Sequence, residues 1–92
     1  GWHGDVVAVA KKDLNIGEVL DGEGGFCVWG KLFPAQKSRL IKGLPIGLAH
    51  HVKMTRAVKQ GATLTWDDVE VDDSAQAVVF RREMEAAFSQ TL

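Results

Sequence analysis

Two stretches of this chain repeat one another, and that repeat limits the possible folds more than any other feature. Ala10-Lys11-Lys12-Asp13-Leu14-Asn15-Ile16-Gly17-Glu18-Val19-Leu20 aligns with Met54-Thr55-Arg56-Ala57-Val58-Lys59-Gln60-Gly61-Ala62-Thr63-Leu64. In each copy a strand is followed by a basic residue, one further residue, an aliphatic residue, two residues, a glycine, two residues and a leucine. The glycine supplies the positive φ that a tight turn requires. An aliphatic strand follows it in both copies. Two such units predict pseudo-symmetric β-hairpins packed face to face. Two copies are too few for a solenoid.

The rest of the chain fits around these units. The valine-rich run Asp5–Ala10 predicts a buried strand. Glu18–Leu20 predicts a short strand, and the glycine cluster Gly22–Gly25 a loose loop. Phe26–Trp29 predicts another strand, closed by Gly30. Pro34 opens a short helix over Ala35–Ile41 that ends at Gly43. Pro45–Ala49 is extended or turn-like, and His51–Thr55 alternates as a half-buried strand does. Thr65 and Asp68 are spaced as a capping box around a single helical turn, and Val69–Val71 predicts a last short strand. Ser74 caps a C-terminal helix over Ala75–Ser89, with Ala77, Phe80, Met84, Ala87 and Phe88 as its apolar stripe and Arg81, Arg82, Glu83 and Glu85 on its solvated surface. The fold class is mainly β: short strands and long loops, one or two short helices and a C-terminal helix. The expected division is an extension or tag remnant at 1–4, a β domain at 5–73 and the helix at 74–92, packed on the domain or on a partner domain.

Composition removes several function classes. At 92 residues the chain is one domain's worth, too small to hold a cofactor domain and a catalytic cleft together. Eleven basic against twelve acidic residues give a net charge of −1, so the basic excess that nucleic-acid binding calls for is missing. The longest apolar run, Val6–Ala10, falls far short of the ~20 residues of a membrane span. No membrane and no nucleic acid are expected as partners. The single cysteine, Cys27, excludes a disulfide framework and fits a reducing compartment, so a cytoplasmic location is expected; these residues contain no secretory signal.

The candidate chemistry is sparse. His50 and His51 are strand neighbours pointing to opposite faces, His3 lies near the terminus, and no Cys/His/carboxylate spacing matches a zinc pattern, so no metal is expected. Cys27 between Phe26 and Val28 reads as a core thiol. Asp67-Asp68 and Asp72-Asp73 read as caps of backbone N–H groups. Lys12 and Arg56 hold equivalent places in the repeat and are candidates to flank one groove for an anionic ligand such as a sugar acid or phosphate. Among the three tryptophans, Trp2, Trp29 and Trp66, Trp66 is expected against the core and Trp29 in the core or at an interface. Phe80, Met84 and Phe88 are the remaining interface candidates. No catalytic residue is expected within this chain.

The paired motifs resemble the SAF domain, a family that includes the antifreeze-like domain of sialic acid synthases, the flagellar P-ring chaperone and the N-terminal domain of altronate dehydratase. The phrase G-x-x-L-T-x-x-D-V stands here as Gly61, Leu64, Thr65, Asp68 and Val69. The longer runs VVAVAKKDLNIGEVLDGEGG and LPIGLAHHVKMTRAVKQGATLTWDDVEVD, with Phe-Arg-Arg-Glu in the tail, are most similar to the C-terminal SAF domain of homoserine-dehydrogenase-like oxidoreductases. The resemblance extends from about Asp5 to Phe88. It implies a β-clip fold and an accessory role in domain packing, oligomerisation or substrate-site closure. The implied partners are the dinucleotide-binding and catalytic domains of the same parent chain and further copies of it. NAD(P) is implied for the parent, with no cofactor in this chain. The alternative is a small-molecule binding or lid module like the antifreeze-like domain; a chaperone-type module is a third, disfavoured by the single cysteine and the lack of a signal. Ala57 departs from the family where an acidic residue is common, and His50-His51 stand where relatives have an acidic-glycine type of turn.

Overall fold

The Val-rich segment forms strand β1 (Gly4–Ala10), which is buried along most of its length and pairs antiparallel with β3 (Val28–Pro34) in an unbroken register from Gly4↔Pro34 to Ala10↔Val28. The computed structural model describes residues 4–22, 24–72 and 74–91, with side chains through residue 87. Residues Gly1–His3 of the expected extension lie outside the described residues, and Gly4 already belongs to the sheet. The second sheet has the order β2 (Val19–Asp21), β4 (His50–Met54), β5 (Val69–Glu70), all antiparallel. Helix α1 (Ala35–Ile41) follows β3 directly, a single 3-10 turn spans Ile46–Leu48, a second spans Trp66–Asp68, and α2 (Gln76–Thr91) closes the chain. The class is mainly β, with short strands, long connections and a C-terminal helix.

The sequence repeat is a symmetry of the backbone. Leu14 N–H donates to Val58 O at 2.7 Å, and Val58 N–H donates back to Leu14 O at 2.9 Å. Gly17 N–H donates to Met54 O at 2.8 Å, and Gly61 N–H donates to Ala10 O at 2.9 Å. The bridge Val9↔Thr63 likewise mirrors the pair Val19↔Lys53. Exchanging each residue with its counterpart in the other unit reproduces these bonds, which places a two-fold axis through the Leu14–Val58 pair. Gly17 and Gly61 both sit at φ +87°, and a Cβ on either would meet nothing within 4 Å. The glycine is therefore required by backbone conformation rather than by space.

At the centre three chain segments close a ring. Ala8 N–H donates to Leu44 O (2.8 Å), Leu44 N–H to Leu64 O (3.0 Å), and Leu64 N–H to Ala8 O (2.9 Å). All three residues are fully buried, and their side chains share one cluster with Leu14, Leu20, Val28, Met54 and Trp66. The ring satisfies backbone groups that burial would otherwise leave unpaired. Gly43 makes the crossing possible: a Cβ there would lie 2.8 Å from Val7 Cγ1. The αL residue that ends α1 is accordingly Lys42 (φ 54°) rather than Gly43.

Two expectations need correction. The third strand does not close at Gly30. It runs to Pro34, because Gly30 sits opposite Ala8 inside the β1 ladder; Phe26 lies before the strand and is 84% exposed. The buried face of α2 also differs. Ala77 and Ala87 are exposed and Phe80 is 67% exposed, whereas Val78 and Arg81 are buried. Arg81 is thus not a solvated residue. Its guanidinium is bidentate on Asp5, with Nη1 donating to Oδ1 at 2.8 Å and Nη2 to Oδ2 at 2.6 Å. Its Nε donates to Glu85 at 2.7 Å, and the buried Ser38 hydroxyl also donates to Asp5. α2 is therefore docked on its own domain through an apolar residue and a buried ion pair.

Candidate functional site

The first turn of each repeat unit places its basic residue beside a carboxylate. Lys12 Nζ lies 2.6 Å from Glu18 Oε2, and Arg56 Nη1 lies 3.9 Å from Asp68 Oδ1. The small cleft between the two loops is lined by Asp13, Leu14, Asn15, Ala57, Val58 and Lys59. Lys12 and Arg56 are thus related by the axis, but each turns to its own acidic partner. Lys12 holds the Glu18 carboxyl below its ordinary value, helped by Asn15 N–H, and Glu18 in turn raises the Lys12 ammonium.

Behind Lys12 lies Cys27, which is buried, as expected of a core thiol. Burial pushes its thiol up, and the Asp21 carboxylate adds to the effect. It is a neutral thiol at physiological pH, unsuited to nucleophilic work. Asp21 accepts hydrogen bonds from Phe26 N–H (2.8 Å) and Cys27 N–H (3.1 Å) across the glycine loop, and these hold its carboxyl below the ordinary value of 3.8. The sign of the pH dependence follows. Stability contributed by a depressed carboxyl is complete above its unfolded value and drains away as pH falls through the folded one. Asp21→Asn is therefore expected to flatten the decline of the thermal midpoint as pH falls below the ordinary carboxyl value of 3.8, measured by circular-dichroism melts. An acid limb as steep as that of the wild type would refute this account of the loop.

Asp68 and Asp72 act as structural groups. Asp68 Oδ2 accepts from Thr65 N–H at 2.8 Å and completes the capping box with Thr65. Asp72 accepts from both N–H and hydroxyl of Ser74, so the Ser74 hydroxyl serves the turn before α2 rather than the helix itself. Asp73 lies outside the described residues, as do Trp2 and His3. His50 and His51 do not point to opposite faces as expected: their rings lie 4.1 Å apart between centroids, tilted by 46°, because His51 leaves the extended conformation at φ 58° where β2 and β4 shift register. A left-handed conformation at a residue with a Cβ is a cost that glycine would not carry. Among the described residues no three His, Cys, Asp or Glu side chains gather as a metal site.

The interface candidates fall at two places. Trp29 is 41% exposed and faces Val9 at one end of the β1–β3 ladder. α2 meets β1 at the other end, through Asp5, four residues or about 13 Å along the strand. There Phe80 and Val79 are exposed on α2, Met84 is half-buried, and the Phe88 side chain lies outside the described ones. At that same end stands an exposed cross-strand pair, Val6 and Leu32, with Leu32 71% exposed. Sequence periodicity missed this pair because Val6 lies in a strand whose other apolar positions are buried, and Leu32 lies beside the buried Phe33.

A further group of residues meets where α1, the Trp66 turn and α2 converge. Trp66 N–H donates to Lys42 O at 3.0 Å, which brings the end of α1 against the capped turn. Trp66 is buried, and the Arg82 guanidinium lies 3.9 Å from the centroid of its ring. Ser38, Arg39, Lys42, Asp67, Glu85 and Ala86 complete the lining of a cleft of about 410 Å³. No local pattern marks these residues in the sequence, since they come from three separate segments. No protein-family model and no curated protein matches this chain. No helix among the described residues is long and apolar enough to cross a membrane.

Proposed function

We propose that this chain is an accessory SAF domain of β-clip type, carried at the C-terminal end of a homoserine-dehydrogenase-like NAD(P)-dependent oxidoreductase of the cytoplasm. In this reading it packs on the dinucleotide-binding and catalytic domains of its parent, supports the oligomer and borders the substrate site. The nicotinamide cofactor belongs to the parent's other domains. The observation that carries the reading is the two-fold relation of the glycine-turn units, because the residues on which the family resemblance rests, Gly61, Leu64, Thr65, Asp68 and Val69, are those that build the axis, the central ring and the capped turn. The exposed cross-strand pair Val6 and Leu32 adds support, since an apolar pair left uncovered on a sheet face of a small domain is characteristic of a surface that another domain covers.

The test begins with the size of the natural gene product, probed in a source lysate with an antibody raised to this domain. A band several times larger than 10.0 kDa, copurifying with NAD(P)H-dependent reductase activity, is the expected result. A band near 10.0 kDa overturns the reading. On the large product, Phe80→Asp should weaken domain assembly, while in the 92-residue chain it should change stability by no more than about 0.5 kcal/mol, as exposed substitutions do. Unchanged assembly would remove α2 from the interface.

A further inference from the structure

We infer that the outer edge of β3 docks an extended acidic segment of a neighbouring domain of the parent chain, added as a further antiparallel strand. The inference rests on the accessory-domain reading for the source of that segment, and on the strand itself for its chemistry. β3 is an edge strand of its sheet. Lys11 N–H donates to Cys27 O at 2.8 Å, directly beyond the Ala10↔Val28 pair. Bonded pairs alternate in an antiparallel ladder, so Val9↔Trp29, Val7↔Lys31 and Asp5↔Phe33 exchange the hydrogen bonds. Gly30 and Leu32 therefore aim their N–H and C=O groups away from β1. Ala8, opposite Gly30, aims its own groups the other way, to Leu44 and Leu64. Among the described residues, no hydrogen bond reaches the outer backbone groups of Gly30 and Leu32. Lys31 and Leu32 are exposed, so the edge is open to a strand.

The side chains on the two faces of this edge specify what fits. On one face, Leu32 is 71% exposed beside Val6, its partner across the ladder. An apolar residue of an added strand, set opposite Leu32, continues that row. On the other face stand Lys31 and the buried Phe33. The Lys31 and Lys37 ammonium groups lie 5.4 and 5.5 Å from the centroid of the Phe33 ring. Neither has a carboxylate partner among the described residues. Asp5, across the ladder from Phe33, is held by Arg81 and Ser38. Two cations gathered at one ring call for carboxylates on the residues opposite Lys31 and Phe33. The strand that fits thus reads acidic, apolar, acidic, with its middle residue opposite Leu32. A second copy of the chain fits less well, because pairing Gly30 with Leu32 in both directions sets Lys31 against Lys31.

The experiment is an NMR titration of the 92-residue chain with the capped peptide Thr-Glu-Val-Glu-Thr at fixed ionic strength. Saturable shifts centred on the Gly30, Lys31 and Leu32 amides are expected, with slowed exchange of the Gly30 and Leu32 N–H groups. The same peptide N-methylated at its valine lacks the donor to Leu32 O and should not bind, a control that needs no variant. Lys31→Glu/Lys37→Glu should bind the acidic peptide about tenfold more weakly, as two exposed ion pairs become two repulsions, and should gain affinity for Thr-Lys-Val-Lys-Thr. Absence of saturation, equal affinity for the scrambled Glu-Glu-Val-Thr-Thr, binding that survives N-methylation, or a chain that pairs with itself at β3 would each overturn the proposal. In the large natural product the Gly30 and Leu32 amides should exchange more slowly than in the 92-residue chain, and equal rates would overturn the docking. Peptide binding by a chain whose natural product is 10.0 kDa would support the edge chemistry while overturning the accessory-domain reading, and with it the source of the segment.

Discussion

Replacing Arg81 with alanine is expected to destabilise the chain by about 3–5 kcal/mol, the cost of leaving one member of a buried ion pair without its partner. A small domain has only about 5–15 kcal/mol of stability in total, so the loss is a large share of it. The size of the effect follows from what remains. Asp5 is buried on β1, and the Ser38 hydroxyl alone does not replace two guanidinium bonds at 2.8 and 2.6 Å. Urea unfolding of the single variant and of Asp5→Leu/Arg81→Met separates the causes. The double variant, which removes both charges, should recover most of the loss, because an apolar pair of similar volume is often neutral in such a place. A single variant within about 0.5 kcal/mol of the wild type, the range of ordinary surface substitutions, would mean that the ion pair does not fasten α2.

Leu64→Ala is expected to cost about 2–5 kcal/mol, the usual range for emptying a well-packed leucine site. Leu64 is fully buried and belongs to the ring of backbone hydrogen bonds with Ala8 and Leu44. Three crossing segments cannot collapse onto the cavity without straining those bonds, so the upper half of the range is expected. Its counterpart in the other unit, Leu20, is buried to the same degree. Leu20→Ala should therefore fall in the same range, and chemical denaturation of both variants reads the comparison directly. A loss below about 1 kcal/mol at either site would show that the core there relaxes freely.

Local signals were sufficient wherever the physics was local. The glycine turns, the Thr65–Asp68 capping box and the short helix after Pro34 could all be read from the spacing of a few residues. The third strand was read short because Gly30 looks like a stop. Only its position opposite Ala8, in the middle of a paired ladder, makes a glycine acceptable there. The buried face of α2 is hidden from the sequence for a related reason. Periodicity assigns apolar residues inward, and nothing near Arg81 announces a carboxylate 76 residues away. The cleft around Trp66 was illegible on the same ground, since Arg39, Lys42 and Arg82 share no motif. Lys12 and Arg56 hold equivalent places in the repeat, but the acidic residues beside them, Glu18 and Asp68, do not.

The central ring also governs the order of events during synthesis. Within these residues β1 is synthesised before its partners, yet its backbone is completed by Leu44 and Leu64, and its first carboxylate by Arg81. Neither repeat unit can close alone, because each lends its turn to the other. Loop closure over such separations must precede the gain from contacts, so folding is expected to be slow for the chain's size and to begin only when nearly all of it is available. Until then β1 presents an unpaired, valine-rich edge, the kind of segment on which nascent chains associate wrongly. α2, which follows every strand in sequence, then fastens β1 by a buried charge.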